Sequence, residues 1–204
     1  MPIPEYKTSN LWPHSKRLSS TQVLDYMRSP SLFYDKWMLL QRHESKAMML
    51  GRIFSAMYAD RKTDFTPDLV QSGASSALIA RFKRALICLP LPDKAEYSSE
   101  CRINGWTIAA RLDGIKGVNI IENKTGKVAW TQSRVESSLQ QTLQSWARWK
   151  ETDKVPPLTL NWIDTDTAHD EFLQTFKTKK SVDQLREFEE RVVEVINGIK
   201  EERF

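Results

Sequence analysis

Residues 106–127, WTIAARLDGIKGVNIIENKTGK, decide the fold of this 204-residue chain. Two runs rich in β-branched and aromatic side chains are separated by Lys116-Gly117, a pattern typical of a β-hairpin. The first run carries a single acidic residue, Asp113, and the second ends in the charged sequence Glu-Asn-Lys at 122–124. The sequence therefore predicts two antiparallel strands with charged side chains near one end.

The register of this hairpin determines which side chains share a face. If Lys116-Gly117 forms the two-residue loop, Asp113 lies opposite Ile120. Because side chains alternate between the two faces of a strand, Glu122 and Lys124 then project on the same face as Asp113. The two carboxylates become diagonal neighbours about 7 Å apart at the backbone, close enough to reach one divalent cation.

Two carboxylates and an amine on one face suit the hydrolysis of a phosphodiester. Mg²⁺ is held by oxygen ligands, keeps several waters, and takes one or two protein carboxylates. A nearby ammonium offsets the charge that develops on the phosphate and helps to orient or deprotonate the attacking water. The alternative is that these side chains are solvated and form only a weak surface ion pair.

Further motifs surround the hairpin in a definite order. They are Leu-Ser-Ser-Thr at 18–21 with Ser29-Pro30, Met-Leu-Gly-Arg at 49–52, Leu-Asp-Gly-Ile at 112–115, Ile-Glu-Asn-Lys-Thr-Gly-Lys at 121–127, and a glutamine-rich segment at 139–147. Together these pieces resemble the PD-(D/E)XK nuclease superfamily, and most closely its RecB-like branch. The acidic motif, the E-x-K-T-G-K motif and the glutamine segment carry most of the resemblance.

The resemblance implies a nuclease that depends on Mg²⁺ or Mn²⁺. Asp113 and Glu122 would be metal ligands, the backbone carbonyl of Asn123 a further ligand, and Lys124 the catalytic amine. Glu100, on the strand predicted before the hairpin, is a weaker candidate ligand and otherwise an edge carboxylate.

The glutamine-rich segment offers one more polar group for the site. In the family this helix carries a glutamine followed four residues later by an aromatic, whereas here Trp146 lies six residues after Gln140 and five after Gln141. On a helical wheel Gln140 lies on the flank of the buried stripe, and Gln141 points roughly opposite. Gln140 is therefore the better candidate to position the substrate or the attacking water, and Gln141 is the alternative. A solvated glutamine-rich face is a third interpretation.

One element of the family pattern is missing. In RecB-like nucleases a histidine four residues after the motif glycine helps to hold the metal, but counting from Gly51 gives Ser55. We expect ordinary surface or hydrogen-bonded roles for the histidines present, His14, His43 and His169. The site should then hold its ion by oxygens and water alone.

The charge of the chain favours an anionic partner. The formal net charge is +4 and the pI is about 9.0, with basic clusters at 81–84 and 177–180 and around the hairpin motif. These clusters would suit a path for a phosphate backbone. The expected nucleic-acid contacts are Lys127, Arg134 and Arg52, and the expected partner is DNA, single-stranded or at duplex ends.

Composition indicates a folded enzyme. Aromatic residues make up 10% and hydrophobic residues 40% of the chain, which argues against disorder. A signal peptide and a membrane-spanning run are both missing from the sequence, so we expect a cytoplasmic protein with no membrane partner. Some RecB-like nucleases carry an iron-sulfur cluster on four cysteines, but this chain has only Cys88 and Cys101, which excludes it. We expect both to be buried, reduced thiols.

Hydrophobic periodicity predicts helices, a three-strand meander, a helix, two strands and a final helix. The first helix is expected to begin at Ser19 or Ser20, and the last at Ser181 with a capping box to Gln184. Single helices are expected at 31–42, 66–88 and 131–150. This is an α/β arrangement with a mixed central β-sheet flanked by helices, and the resemblance implies a restriction-endonuclease-like core. We divide the chain into an irregular arm at 1–17 and one nuclease-like domain at 18–204.

The resemblance implies hydrolysis of DNA phosphodiester bonds by an exonuclease of recombination, repair or defence, in a setting that includes phages, with a recombination or repair protein as partner. Two other interpretations stay open. One is a non-catalytic nucleic-acid-binding or assembly module that kept the fold. The other is a protein whose carboxylates bind a structural ion and nothing else.

Overall fold

The computed structural model describes residues 16–39 and 44–204, and within them six strands form one mixed β-sheet. Helices flank the sheet, which confirms the predicted α/β fold class. The strands are β1 Arg17–Ser19, β2 Lys94–Ile103, β3 Trp106–Lys116, β4 Asn119–Gly126, β5 Pro157–Asp164 and β6 Leu173–Lys179. The helices are α1 Ser20–Arg28, α2 Pro30–Phe33, α3 Lys46–Ala59, α4 Thr66–Gln71, α5 Ser76–Cys88, α6 Gln132–Ser137, α7 Leu139–Thr152 and α8 Val182–Lys200.

The long strand β3 organises the sheet. β2 pairs antiparallel along one edge of β3. The other edge is shared: β1 pairs in parallel with residues 107–109, and β4 pairs antiparallel with residues 114–116. β5 then lies parallel to β4, and β6 lies antiparallel to β5.

Helices bury the apolar side chains of the sheet in three clusters, one of which joins α6 to β3, β4 and β5. α1, α7 and α8 form one core with β2 and β3, centred on Trp146, Ile108 and Phe188. α3, α4 and α5 form a second core that includes Ile121 and Ile163. Each aliphatic or aromatic side chain that is fully buried in this way stabilises the folded protein by roughly 1.5–3 kcal/mol.

Serine caps begin several helices where the sequence indicates. Ser19 accepts from the backbone N–H of Gln22, whose side chain bonds back to the Ser19 N–H, and Ser181 makes the same reciprocal pair with Gln184. Such capping boxes satisfy N–H groups that have no partner in the first helical turn. Both predicted helix starts are confirmed.

The hairpin register differs from the prediction. Lys116 pairs with Asn119 and Ile115 with Ile120, so the loop consists of Gly117 and Val118. Gly117 has φ +59, a left-handed conformation that glycine adopts readily. Because the register is displaced by two residues, every side chain stays on its predicted face.

Two of the predicted helices are divided. Gly73, with φ +74, ends the first part of the 66–88 segment, and the Ser75 side chain caps the second part. Extended Ser138 separates α6 from α7. In both places local backbone preferences interrupt an apolar period that continues through the break.

The segment after Pro30 also departs from the prediction. A regular helix ends at Phe33, and a π-helical turn follows at Tyr34–Met38. The end of the predicted 31–42 helix lies outside the described residues, as do His14, His43 and residues 1–15 of the predicted arm.

Two further observations concern cysteines and membranes. Both thiols are free, but Cys88 is exposed, so its predicted burial is wrong, whereas Cys101 is buried. Cys88 is the last residue of α5 and lies outside its apolar face. Within the described residues, every helix is too short or too polar to cross a bilayer.

Candidate active site

The candidate site forms where β3 and β4 separate. Their backbone pairing ends at Gly114 and Ile121, so the next residue along each strand, Asp113 and Glu122, is free of the ladder between them. Instead, the backbone N–H of Asn123 donates to Oδ2 of Asp113 at 2.7 Å. A side-chain carboxylate thus replaces the backbone acceptor at the fork between the two strands.

Helix α3 holds the second oxygen of Asp113. The Ser55 hydroxyl donates to Oδ1 at 3.3 Å, a long hydrogen bond across 58 residues of sequence. Ser55 stands where the sequence pattern leads us to expect the missing histidine. The structure therefore brings position 55 to the site, with an oxygen in place of an imidazole.

Glu122 is almost fully enclosed, with 2% of its surface exposed. Its Oε1 lies 2.5 Å from Nζ of Lys124 and accepts from the Gln140 amide at 2.9 Å. Its Oε2 accepts from the Gln144 amide at 2.7 Å. Three donors from β4 and α7 therefore fix one carboxylate.

The two carboxylates repel each other. Burial and the neighbouring Glu122 raise the pKa of Asp113 to about 7, against the lowering effect of the Asn123 N–H, Lys124 and Ser55. Burial alone would lower the pKa of Lys124, but the carboxylates of Glu122 and Asp113 outweigh it, and the net direction is upward. Lys124 is therefore an ammonium ion, one positive charge beside two acidic groups.

A divalent cation would balance the excess of acidic groups over the single ammonium at this site. The acidic pair supplies the one or two carboxylates with which proteins hold Mg²⁺, and a dication would remove the repulsion between them. The described residues contain no group of three or more histidine, cysteine, aspartate or glutamate side chains suited to a metal. Any further ligands would be backbone carbonyls, water or substrate oxygens, and the carbonyl of Asn123 stays a prediction.

The structure does not bring Glu100 to this site. Glu100 pairs with Ala109 on β3, four positions from Asp113, and its carboxylate lies 2.6 Å from Arg17. Both side chains are exposed. The strand register places this carboxylate too far along β3 to share an ion with Asp113.

The glutamines divide into two that contact the site and one that does not. Gln140 bonds Glu122, as its position on the helical wheel favours. The predicted orientation of Gln141 away from the buried stripe is wrong: α7 is enclosed on nearly every side, so Gln141 is fully buried, and its amide has no hydrogen bond among the described residues. Sequence reasoning missed Gln144, which stands four residues after Gln140, where the family pattern expects an aromatic. The i, i+4 spacing was the available signal, since it places both amides on one helix face.

A ladder of polar side chains supports the strand that carries the site. The Asn161 amide donates to Oδ1 of Asn123 at 3.0 Å, and the Thr175 hydroxyl donates to Oδ1 of Asn161 at 3.0 Å. These three residues are register partners across β4, β5 and β6. The ladder fixes Asn123, whose backbone N–H holds Asp113. Sequence reasoning did not anticipate it.

The residues expected to contact nucleic acid lie in different environments. Lys127, directly after β4, is exposed. The Arg134 guanidinium lies 4.2 Å from the centre of the Trp130 ring, and Arg52 forms an exposed ion pair with Glu44 at 3.1 Å. All three remain accessible to solvent.

Two members of the basic clusters have structural roles. Arg81 donates to the backbone carbonyls of Asp164, Asp166 and His169 and so holds the turn after β5. Lys180 is 6% exposed and donates to the carbonyl of Glu136. Arg81 and Lys180 are therefore engaged with backbone carbonyls, which argues against a role for them in the expected path of a phosphate backbone. His169 is hydrogen-bonded to Asp164 at 2.6 Å, as expected of an ordinary polar histidine.

Comparisons with solved structures place the fold among exonucleases. An exonuclease candidate from Eubacterium rectale superimposes with a TM-score of 0.61 at 13% identity, over 98% of this chain and 88% of that one. An alkaline exonuclease from Laribacter hongkongensis has a TM-score of 0.51 at 15% identity, over 92% and 90% of the two chains. Its complex with dAMP has a TM-score of 0.53 at 14% identity, with the same coverage.

At these identities the likeness concerns the fold. Neither a protein-family model nor a curated protein matches the sequence. The chain therefore shares the mixed α/β fold of these exonucleases, and its chemistry has to be inferred from its own side chains.

Proposed function

We propose that this protein is a divalent-metal-dependent nuclease that hydrolyses DNA, acting as an exonuclease with Mg²⁺ or Mn²⁺. The observation that carries the proposal is the buried pair Asp113 and Glu122, with a single ammonium, Lys124, to balance it. A protein that keeps two carboxylates in such repulsion gains stability when a dication binds between them. The exonuclease part rests on the fold shared with the two neighbours.

The side chains divide the work of phosphodiester hydrolysis. Asp113 and Glu122 would hold the metal, which would polarise the phosphate and lower the pKa of a bound water. Lys124, beside Glu122, would stabilise the negative charge that develops on the phosphate and help to orient the attacking water. Gln140 and Gln144 donate to Glu122 and keep its carboxylate in one orientation.

The position of the amine agrees with this role. A quarter of the Lys124 side chain is exposed, whereas Glu122 is almost fully enclosed. The Lys124 side chain therefore borders solvent, while its ammonium stays beside the enclosed carboxylate of Glu122. Ser55 and the Asn123 N–H hold Asp113 from the protein side.

A cleavage assay tests the proposal. Linear and circular DNA, each single- and double-stranded, is incubated with the protein and Mg²⁺, Mn²⁺ or EDTA. We expect linear DNA to be degraded with either ion, circular DNA to persist, and EDTA to abolish cleavage. Glu122→Gln should remove activity, and the matched control Glu100→Gln, which changes an exposed carboxylate on the neighbouring strand, should retain it.

Different results identify the other functions. DNA binding without metal-dependent cleavage would overturn the nuclease proposal in favour of a binding module. Cleavage that survives Glu122→Gln would overturn the site assignment. Cleavage of circular DNA would contradict the exonuclease part alone.

A further inference from the structure

A cleft lies beside the proposed active site, at the carboxyl ends of β4 and β5. Its volume is about 480 Å³, within the range of about 300–1,000 Å³ found for small-ligand sites. The first turns of α3, the connection between α4 and α5, and the residues after Lys124 line it. Thr165, directly after β5, completes the wall.

The cleft and the proposed site share two structural elements. On α3, Leu50 lines the cleft, and Ser55 reaches the proposed metal site. On β4, Thr125 lines the cleft and directly follows Lys124, with its side chain on the opposite face of the strand. It contacts α3 there, since a Cβ added at Gly51 would stand 3.3 Å from Oγ1 of Thr125. The site and the cleft both lie at the carboxyl end of β4, so a strand that crosses this end with one phosphate at the site would bring a neighbouring nucleotide to the cleft.

The floor of the cleft is apolar and its wall is polar. Leu50 and Leu78, each 7% exposed, supply the apolar surface from α3 and α5. Thr125 and Thr165 add hydroxyl-bearing residues to the lining. A planar base has apolar faces and hydrogen-bonding edges, so it matches this division of surfaces.

Two lysines stand at the rim. Nζ of Lys46 donates to the carbonyl of Gly73 at 2.9 Å, which holds this ammonium beside the cleft. Lys127 is exposed on the other side and interacts electrostatically with Asp166. Lys46, Lys127 and Asp166 together carry a net positive charge, which favours an anionic ligand.

We propose that this cleft binds one nucleotide of the substrate strand next to the cleaved phosphate. The base packs against Leu50 and Leu78, and the phosphate lies near Lys46 and Lys127. The ligand class is a nucleoside monophosphate unit, which combines a planar base with an anionic group. The inference rests on the proposed nuclease function for the strand that fills the cleft, but nucleotide binding can be measured without cleavage.

A binding experiment tests the cleft directly. dAMP and a fluorescently labelled pentathymidylate are titrated into the protein in EDTA. Ala47→Trp fills the mouth of the cleft from an exposed position of α3, and we expect affinity to fall at least about tenfold. Ala80→Trp, at an exposed position of α5 away from the cleft, is the matched control and should bind like the parent. The melting temperature of each variant shows that it is folded.

A second measurement needs no variant. In methyl NMR spectra of the parent, dAMP should shift the signals of Leu50 and Leu78. The signal of Leu185, in the core formed by α1, α7 and α8, should stay in place.

The outcomes separate the two proposals. Equal affinities for Ala47→Trp and Ala80→Trp, or unshifted signals of Leu50 and Leu78, would overturn the cleft proposal, and metal-dependent cleavage by the same protein would leave the nuclease proposal standing. Nucleotide binding at the cleft in a protein that cleaves no DNA would support the cleft and overturn the nuclease function.

Discussion

Replacing Asp113 by asparagine should stabilise the protein in the absence of metal. Burial and Glu122 raise the pKa of Asp113 from 3.8 to about 7. A carboxyl whose folded-state pKa is raised makes a contribution to stability that is fully present below its ordinary pKa and is lost as the pH rises through the raised value. The parent therefore carries the whole penalty at pH 8.

The size of the effect follows from the shift. About three pKa units at about 1.4 kcal/mol each give a penalty of roughly 4 kcal/mol at pH 8, and about 1–2 kcal/mol at pH 5. Asparagine removes this penalty and still fits, because its oxygen can accept from the Asn123 N–H and its amide can donate to the Ser55 hydroxyl oxygen. We expect the free energy of unfolding to rise by about 2–4 kcal/mol at pH 8, and the melting temperature by about 5 °C or more.

Thermal denaturation in EDTA at pH 8 and pH 5 measures this gain, with Asp25→Asn as the matched control. Asp25 is also buried, but its carboxylate accepts from Lys36 at 2.8 Å and from the Trp37 indole at 2.9 Å. Asp25→Asn should therefore destabilise the protein by about 1–3 kcal/mol. A drop in melting temperature for Asp113→Asn at pH 8 would refute the electrostatic reasoning and, with it, the argument for a dication at this site.

Three more predictions concern the site and its surroundings. Lys124→Ala should lower cleavage by about a hundredfold or more with DNA affinity little changed, because it removes a contact to the transition state, and unaltered cleavage would remove its assigned role. Ser55→His should tighten Mn²⁺ binding in calorimetry more than Mg²⁺ binding, since imidazole favours later metals, and equal effects on both ions would show that position 55 does not reach the metal. The logarithm of the affinity for single-stranded DNA should fall linearly with the logarithm of the salt concentration, with a slope of about −0.7 per phosphate contact, and the double variant of Lys127 and Arg134 to alanine should make this slope shallower. A slope unchanged by this double variant would exclude those residues from the phosphate path.

Local chemistry made much of the fold predictable. Strand alternation, the Ser19 and Ser181 capping boxes and the order of elements depend on residues within a few positions of one another, so they can be recognised in the sequence. The hairpin prediction was wrong in register by two residues, yet it kept Asp113 and Glu122 on one face. Since faces alternate with period two, an even displacement changes the partners of a strand but not its faces.

The glutamines illustrate a boundary of sequence reasoning. A helical wheel favoured Gln140 correctly, but it placed Gln141 on the exposed side, which is wrong because α7 is enclosed on nearly every side. The contact of Gln144 with Glu122 depends on how deeply α7 packs against β3 and β4. The family pattern, which expects an aromatic four residues after the glutamine, directed attention to Trp146 instead.

Strand alternation predicts from the sequence that Asp113, Glu122 and Lys124 share one face, and the family resemblance directs attention to position 55. How these side chains are held depends on the tertiary structure. The fork between β3 and β4, the ladder from Asn123 to Thr175 and the isolation of Glu100 all depend on which strands become neighbours. That choice is made by burial of the whole sheet against the surrounding helices, an interaction between segments far apart in the chain that no local pattern records.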